Sequence, residues 1–232
     1  MELAAVIDLM GGRVVHARCG MRNEYRPVAS ALCAGSGPEA VADALLGFHR
    51  FSALYVADID AILGAGDNLA ALRGIRARHP EADLWLDCGV RDEAALRRVR
   101  DSLACTPVLG SESLGDARLP WRAIAAGEDV VLSLDFRDGQ FLGPPDLFDA
   151  VRDWPGRLIG LDLARVGAGR GPDLGLLHRL RERAPHARIH LGGGVRGPAD
   201  LAACRRAGAA GVLLATALHD GSLTRQDLAE AA

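Results

Sequence analysis

Residues 64–72 read GAGDNLAAL, and residues 169–177 read GRGPDLGLL, 105 positions further on. The same offset separates Gly89-Val90-Arg91 from Gly194-Val195-Arg196, and Asp58 stands 104 positions before Asp162. Near the start, VIDLMGGRV at 6–14 is echoed by SLDFRDGQF at 133–141, offset by 127. Self-similarity at a steady offset marks a duplicated unit. Each echo falls at the end of a short apolar run, so the two copies are half-domains whose strand ends match. The wider offset of the first pair places about 22 extra residues early in the first copy.

Working outward from the echoes, apolar runs at 3–8, 53–58, 83–87, 106–110, 129–135, 157–162, 187–191 and 211–215 predict strands. An amphipathic stretch follows each, at 38–49, 68–79, 92–103, 117–126, 145–153, 173–184, 198–207 and 224–231. Strands alternating with helices imply a parallel sheet covered on both faces. Eight such units in 232 residues fit a closed barrel better than an open sheet. The expected architecture is therefore α/β, a (β/α)8 TIM barrel forming one domain over 1–232, with half-barrels at about 1–127 and 128–232. The longest irregular stretch is 16–37. Its arginines Arg18, Arg22 and Arg26 suggest a lid with a closing clamp.

Composition narrows the function. Hydrophobic residues make up 49% and charged residues 25%, which is globular, and the net charge of -3 offers no basic surplus for nucleic acid or an anionic membrane. All 27 basic residues are arginine, so no lysine Schiff base can form. Five cysteines without C-x-x-C spacing argue against a disulfide framework or a zinc cage. No signal peptide or membrane-length apolar run is visible, so a cytoplasmic protein is expected. No nucleotide or metal fingerprint appears, and neither cofactor nor metal is expected. The expected partner is a phosphorylated small molecule.

In a (β/α)8 barrel the functional rim lies at the C-terminal ends of the strands. After the seventh strand comes Gly192-Gly193-Gly194-Val195-Arg196, and after the eighth Ala215-Thr216. Glycine-rich turns there let backbone N–H groups approach an anion closely. The repeat puts a second candidate anion site after strands three and four, at Gly89, Arg91, Gly110 and Ser111. That copy carries only one glycine of the three, and Asp87 and Glu112 stand beside it, so an amine or a hydroxyl is the alternative ligand. Asp8 and Asp135 end the first and fifth strands, opposite each other in an eight-strand ring. Two carboxylates facing one ligand suit general acid–base work. Asp58 and Asp162, a matched pair, are expected to hold loops or bind ligand hydroxyls. His16 and His219 read as exposed or capping side chains.

These residues resemble the HisA/HisF family of histidine biosynthesis, which comprises a phosphoribosyl isomerase and the cyclase subunit of imidazole-glycerol-phosphate synthase. IDLMGGRVV at 7–15 and LDFRDGQF at 134–141 look like its first and fifth strands, with Asp8 and Asp135 in place of its catalytic aspartates. ADIDAILGAGDN at 57–68, DLARVGAGRGPDLGLL at 162–177, GGGVR and GVLLATALHDG resemble the remaining motifs. The resemblance implies that strands seven and eight grip one phosphate of a substrate with two. Departures occur at Leu161, Val166 and Asp87, and in the loop HARCGMRNEYRP. That loop looks similar to a divergent HisA/HisF-related group of methanogens and of methylotrophs that use tetrahydromethanopterin-type one-carbon chemistry. An Amadori-type isomerase without cofactor is the leading implication. A cyclase or lyase on a related phosphate ester, or a non-catalytic phosphate-binding subunit, are the competing ones.

Overall fold

The computed structural model describes residues 1–232. Eight parallel strands form the barrel: β1 (Glu2–Met10), β2 (Ala53–Asp58), β3 (Leu84–Asp87), β4 (Thr106–Gly110), β5 (Val131–Arg137), β6 (Arg157–Asp162), β7 (Arg188–Gly192) and β8 (Gly211–Leu214). Each pairs with the next, and β8 closes the ring on β1 in the register Glu2↔Gly211 to Ala5↔Leu214. The eight covering helices are α1 (Pro38–Phe48), α2 (Leu69–Arg78), α3 (Glu93–Ser102), α4 (Leu119–Ala125), α5 (Pro145–Asp149), α6 (Leu174–Arg183), α7 (Pro198–Arg206) and α8 (Arg225–Ala231).

Local chemistry sets the helix starts. The Asp92 and Asp173 carboxylates accept from the backbone N–H groups of Ala95 and Leu176, at 2.7 and 2.9 Å, capping α3 and α6. Pro38 and Pro198 open α1 and α7, where a missing N–H costs nothing. Two apolar cores follow from the strand period of two. Leu3, Ala5, Ile7 and Leu9 face the helices, whereas Ala4 and Val6 join Tyr55, Trp85 and Ile159 inside the barrel. The interior is thus packed below the mouth, and Asp8 and Asp135 come up at the open end.

Two features were absent from the strand count. After β1 the chain turns through Gly11-Gly12 into strand Arg13–His16, and after β5 through Asp138-Gly139 into Gln140–Leu142. Both pairs of turn residues have positive φ, from 50° to 81°, as a type I′ hairpin requires. The echo between 6–14 and 133–141 is therefore a shared hairpin. Residues 16–37, expected to be irregular, contain a 3-10 turn at Arg22–Glu24 and a short strand at Arg26–Pro27 that pairs with Val15 and His16.

Candidate active site

Strand register builds one ring of side chains at the mouth. Asp8 is level with Ala57, and Ala57 with Asp87. Across the barrel, Asp135 is level with Leu161, Leu161 with Gly192, and Gly192 with Leu213. All seven line a cavity of about 290 Å3. The two halves thus match position for position: Asp8 with Asp135, Ala57 with Leu161, and Asp87 with Gly192.

The two opposing aspartates are held differently. Asp135 is buried and accepts from the Ser133 hydroxyl at 2.6 Å, the Glu112 backbone N–H at 3.2 Å and the Ser111 hydroxyl at 3.2 Å. Burial nevertheless pushes its carboxyl up to about 7; the Ser133 hydrogen bond opposes this and the charges of Asp87 and Glu112 add to it. Asp8 receives no hydrogen bond from the protein. Burial, reinforced by the Asp87 charge, pushes it to about 7 as well. Asp87 itself is raised by burial to about 6, with the Gly89 N–H and the Tyr55 hydroxyl, at 3.1 and 3.2 Å, favouring its ionised form. Carboxylates poised near neutrality can both give and take protons there.

The second-half rim presents backbone donors. Gly192, Gly193, Gly194, Val195, Ala215 and Thr216 line the cavity. The N–H groups of Gly193, Gly194, Val195 and Ala215 have no acceptor within the protein. These residues are half-buried, and a cluster of free backbone N–H groups beside a cavity is able to receive an anion. Gly194 is fixed at φ +92°, and a Cβ there would overlap the Gly171 carbonyl oxygen. Arg196 also borders the cavity, but its guanidinium is paired with Asp200 at 2.8 and 2.9 Å. The Thr216 hydroxyl lies 3.1 Å from His16 Nε2.

At the first-half rim the Gly89 and Ser111 N–H groups are already taken, whereas those of Cys88 and Val90 have no acceptor but lie off the cavity. Asp87 occupies the level of Gly192, and its carboxylate accepts from Gly89 N–H. Ser111 N–H goes to the Ser133 carbonyl at 2.9 Å, and Glu112 N–H to Asp135. Gly89, Arg91, Gly110 and Ser111, expected to seat a second anion, do not line the cavity. Arg91 donates to the Ile62 carbonyl at 3.1 Å, and Ser111 is fully buried behind Asp135. A Cβ on Gly110 would sit 3.1 Å from Asp87 Oδ2 and 3.6 Å from Asp135 Oδ2. Gly110 is thus the gap into which both carboxylates fit.

Asp58 and Asp162 also stay off the cavity. Asp58 accepts from Asn68 N and Nδ2, both at 2.7 Å, and Asp162 from Ala164 N at 3.0 Å with Arg165 beside it. Both hold their own loops, for which a buried carboxylate at a strand end is suited, and not a ligand hydroxyl. Of the loop arginines, Arg22 reaches the cavity and pairs with Glu112, whereas Arg18 is exposed and away from it. His16 is exposed, as read, and borders the cavity; His219 lines it too but is buried, contrary to an exposed reading. Tyr55 went unnoticed in the sequence; its place two residues before the inward-facing Ala57 on β2 is the signal that could have found it.

A closed (β/α)8 barrel whose mouth joins opposed carboxylates to glycine-rich turns with free N–H groups has the architecture on which many small-molecule enzymes are built. The family model described as "Histidine biosynthesis protein" matches residues 2–224, and the chain belongs to that HisA/HisF family. It is 32% identical to an uncharacterized protein of Methanocaldococcus jannaschii over 98% of this chain and 97% of that one. It is 30% identical to the 1-(5-phosphoribosyl)-5-((5-phosphoribosylamino)methylideneamino)imidazole-4-carboxamide isomerase of Methanospirillum hungatei, over the full length of both chains. The isomerase of the same name from Xanthomonas campestris pv. campestris is 30% identical over 75% of this chain and 79% of its own. No helix is long and apolar enough to cross a membrane.

Proposed function

We propose that this protein is a cofactor-independent isomerase of a phosphorylated aminosugar-type molecule, with Asp8 and Asp135 as its acid–base pair. The observation that carries the reading is the mouth itself. Two opposed carboxylates, each raised to about 7, share one cavity with four unpaired N–H groups. The substrate phosphate is anchored by Gly193, Gly194, Val195 and Ala215. One aspartic acid protonates the ring oxygen as the ring C1–O bond opens to an imine. The other carboxylate removes the C2 proton, and a proton returned to C1 completes the Amadori rearrangement. Electrons are conserved within the substrate, so the step calls for no redox partner.

Family relatives named as isomerases support the reaction class. Asp87, Leu161 and Val166 on the cavity wall support a substrate different from theirs. The protein is read as a paralogue serving a one-carbon pathway in the cytoplasm, on its likeness to the divergent group. The test is twofold. Asp8→Asn and Asp135→Asn should each abolish exchange of a substrate C–H with deuterated water while inorganic phosphate still binds. The gene should fail to rescue a histidine auxotroph lacking the isomerase. Retained exchange in both variants would overturn the acid–base assignment, and robust rescue would overturn the different substrate.

A further inference from the structure

The two poles of the cavity are chemically opposite. At the β7–β8 pole, four N–H groups stand without acceptors. At the β3–β4 pole, Asp87 replaces Gly192 at the same level, and the protein's own carboxylates satisfy Gly89 N–H and Glu112 N–H. The Gly89, Ser111 and Glu112 N–H groups are occupied, those of Cys88 and Val90 lie off the cavity, and the carboxylates facing it there are Asp8, Asp87, Asp135 and Glu112. Arg22 is the only guanidinium set among them, and it is paired with Glu112. Asp8, half-buried at the mouth, takes no hydrogen bond from any protein group and leaves an acceptor open to the cavity.

A second anion there would meet this concentration of negative charge at short range, whereas a cation would relieve it. No three of the carboxyl, thiol or imidazole groups gather as ligands around one point, so the arrangement suits an extended organic cation rather than a metal ion. The Tyr55 hydroxyl, 3.2 Å from Asp87 Oδ2, holds that carboxylate in place.

We infer that the ligand is a phosphate monoester bearing a protonated amine: phosphate on the Gly193–Val195 and Ala215 N–H groups, ammonium on Asp87 beside Asp8 and Glu112. This rests on the phosphate seat of the proposed function, and it replaces a bisphosphate with a zwitterion. An ionised Asp87 is the form that binds the amine, so amine affinity should rise with pH through about 6.

The experiment is calorimetric titration of the intact protein at pH 7.5 with three probe sets: inorganic phosphate, ω-aminoalkyl phosphates, and alkyl phosphates and alkane bisphosphates of matched chain length. In the expected result, at least one aminoalkyl phosphate binds about tenfold or more tightly than its matched alkyl phosphate, as a charge-assisted hydrogen bond provides. Asp87→Asn should remove that advantage while inorganic phosphate binds as well or better. Glu112→Gln, at a surface-accessible position, should reduce it and serves if Asp87→Asn does not fold. A bisphosphate that binds more tightly than every aminoalkyl phosphate would overturn the inference and leave the phosphate seat intact. An amine advantage that survives both substitutions would also overturn it. Absence of binding by any phosphate would instead remove the seat, and with it the reading beneath.

Discussion

Asp8→Asn should stabilise the folded protein above neutral pH while abolishing its chemistry. The carboxyl is half-buried at the mouth, takes no hydrogen bond from the protein, and sits at about 7 instead of 3.8. An acid whose pKa is higher folded than unfolded binds more protons in the folded state between those values. Stability from this group is therefore complete below about pH 4, falls as pH rises toward 7, and stays low above it. A shift of about three units corresponds to a ceiling of about 4 kcal/mol at ~1.4 kcal/mol per unit. Relaxation around the charge and its coupling to Asp87 reduce this, and about 2 kcal/mol is expected at pH 8. Asparagine has nearly the same shape and no charge, and no donor is orphaned by the change. The variant should gain roughly 4–8 °C in Tm at pH 8 for a chain of this size and nothing at pH 4. Urea titrations at pH 4, 6 and 8 measure the difference directly. A variant less stable than the parent at pH 8, or a difference that does not vary with pH, would refute the claim that burial raises the Asp8 carboxyl.

Asp135→Asn should behave oppositely, losing about 1–2 kcal/mol at pH 4, because its amide nitrogen would face the Ser133 hydroxyl or the Glu112 N–H; the same denaturation series reads it. Gly194→Ala combines a positive φ with overlap on the Gly171 carbonyl, and should cost about 2–4 kcal/mol and weaken inorganic phosphate binding at least tenfold, as titration calorimetry would show. Arg22→Ala removes the one ion pair joining the 16–37 segment to Glu112. It should change global stability by under about 1 kcal/mol, yet speed amide hydrogen exchange in residues 17–27; unchanged exchange would show that the pair does not hold the loop down.

The barrel was readable because its signals are local and repeated. Eight apolar runs at strand length, matched at a constant offset, leave little choice of topology, and each lies within two residues of an observed strand end on the mouth side. The hairpins after β1 and β5 were equally visible in Gly11-Gly12 and Asp138-Gly139, but were read as part of the repeat and not as turns. The opposed pair Asp8 and Asp135 followed from strand counting alone. What sequence could not show was which backbone donors are free. Gly89 and Gly194 occupy equivalent positions in the same Gly-Val-Arg triplet, and only coordinates reveal that Asp87 has filled the first. Asp58 and Asp162 illustrate the same limit: a strand-end aspartate looks alike in sequence whether it faces a ligand or, as here, its own loop amides.

Asp87 ties these observations together, because its charge reaches both halves of the acid–base pair. It is among the causes that raise Asp8 and among those that raise Asp135. Replacing it by asparagine preserves shape and leaves burial, the larger cause at both sites, in place. Both carboxyls should therefore titrate lower than about 7 while remaining above the ordinary carboxylate range. A pH profile of kcat/KM, which reports the free enzyme, should shift both limbs toward acid in Asp87→Asn and keep its bell shape. Carbon-detected NMR of labelled aspartates follows the same titrations without turnover. If Asp8 and Asp135 keep their titration midpoints once Asp87 is neutral, the ring is not electrostatically coupled. The aspartate at the glycine level would then have no part in setting proton transfer across the cavity.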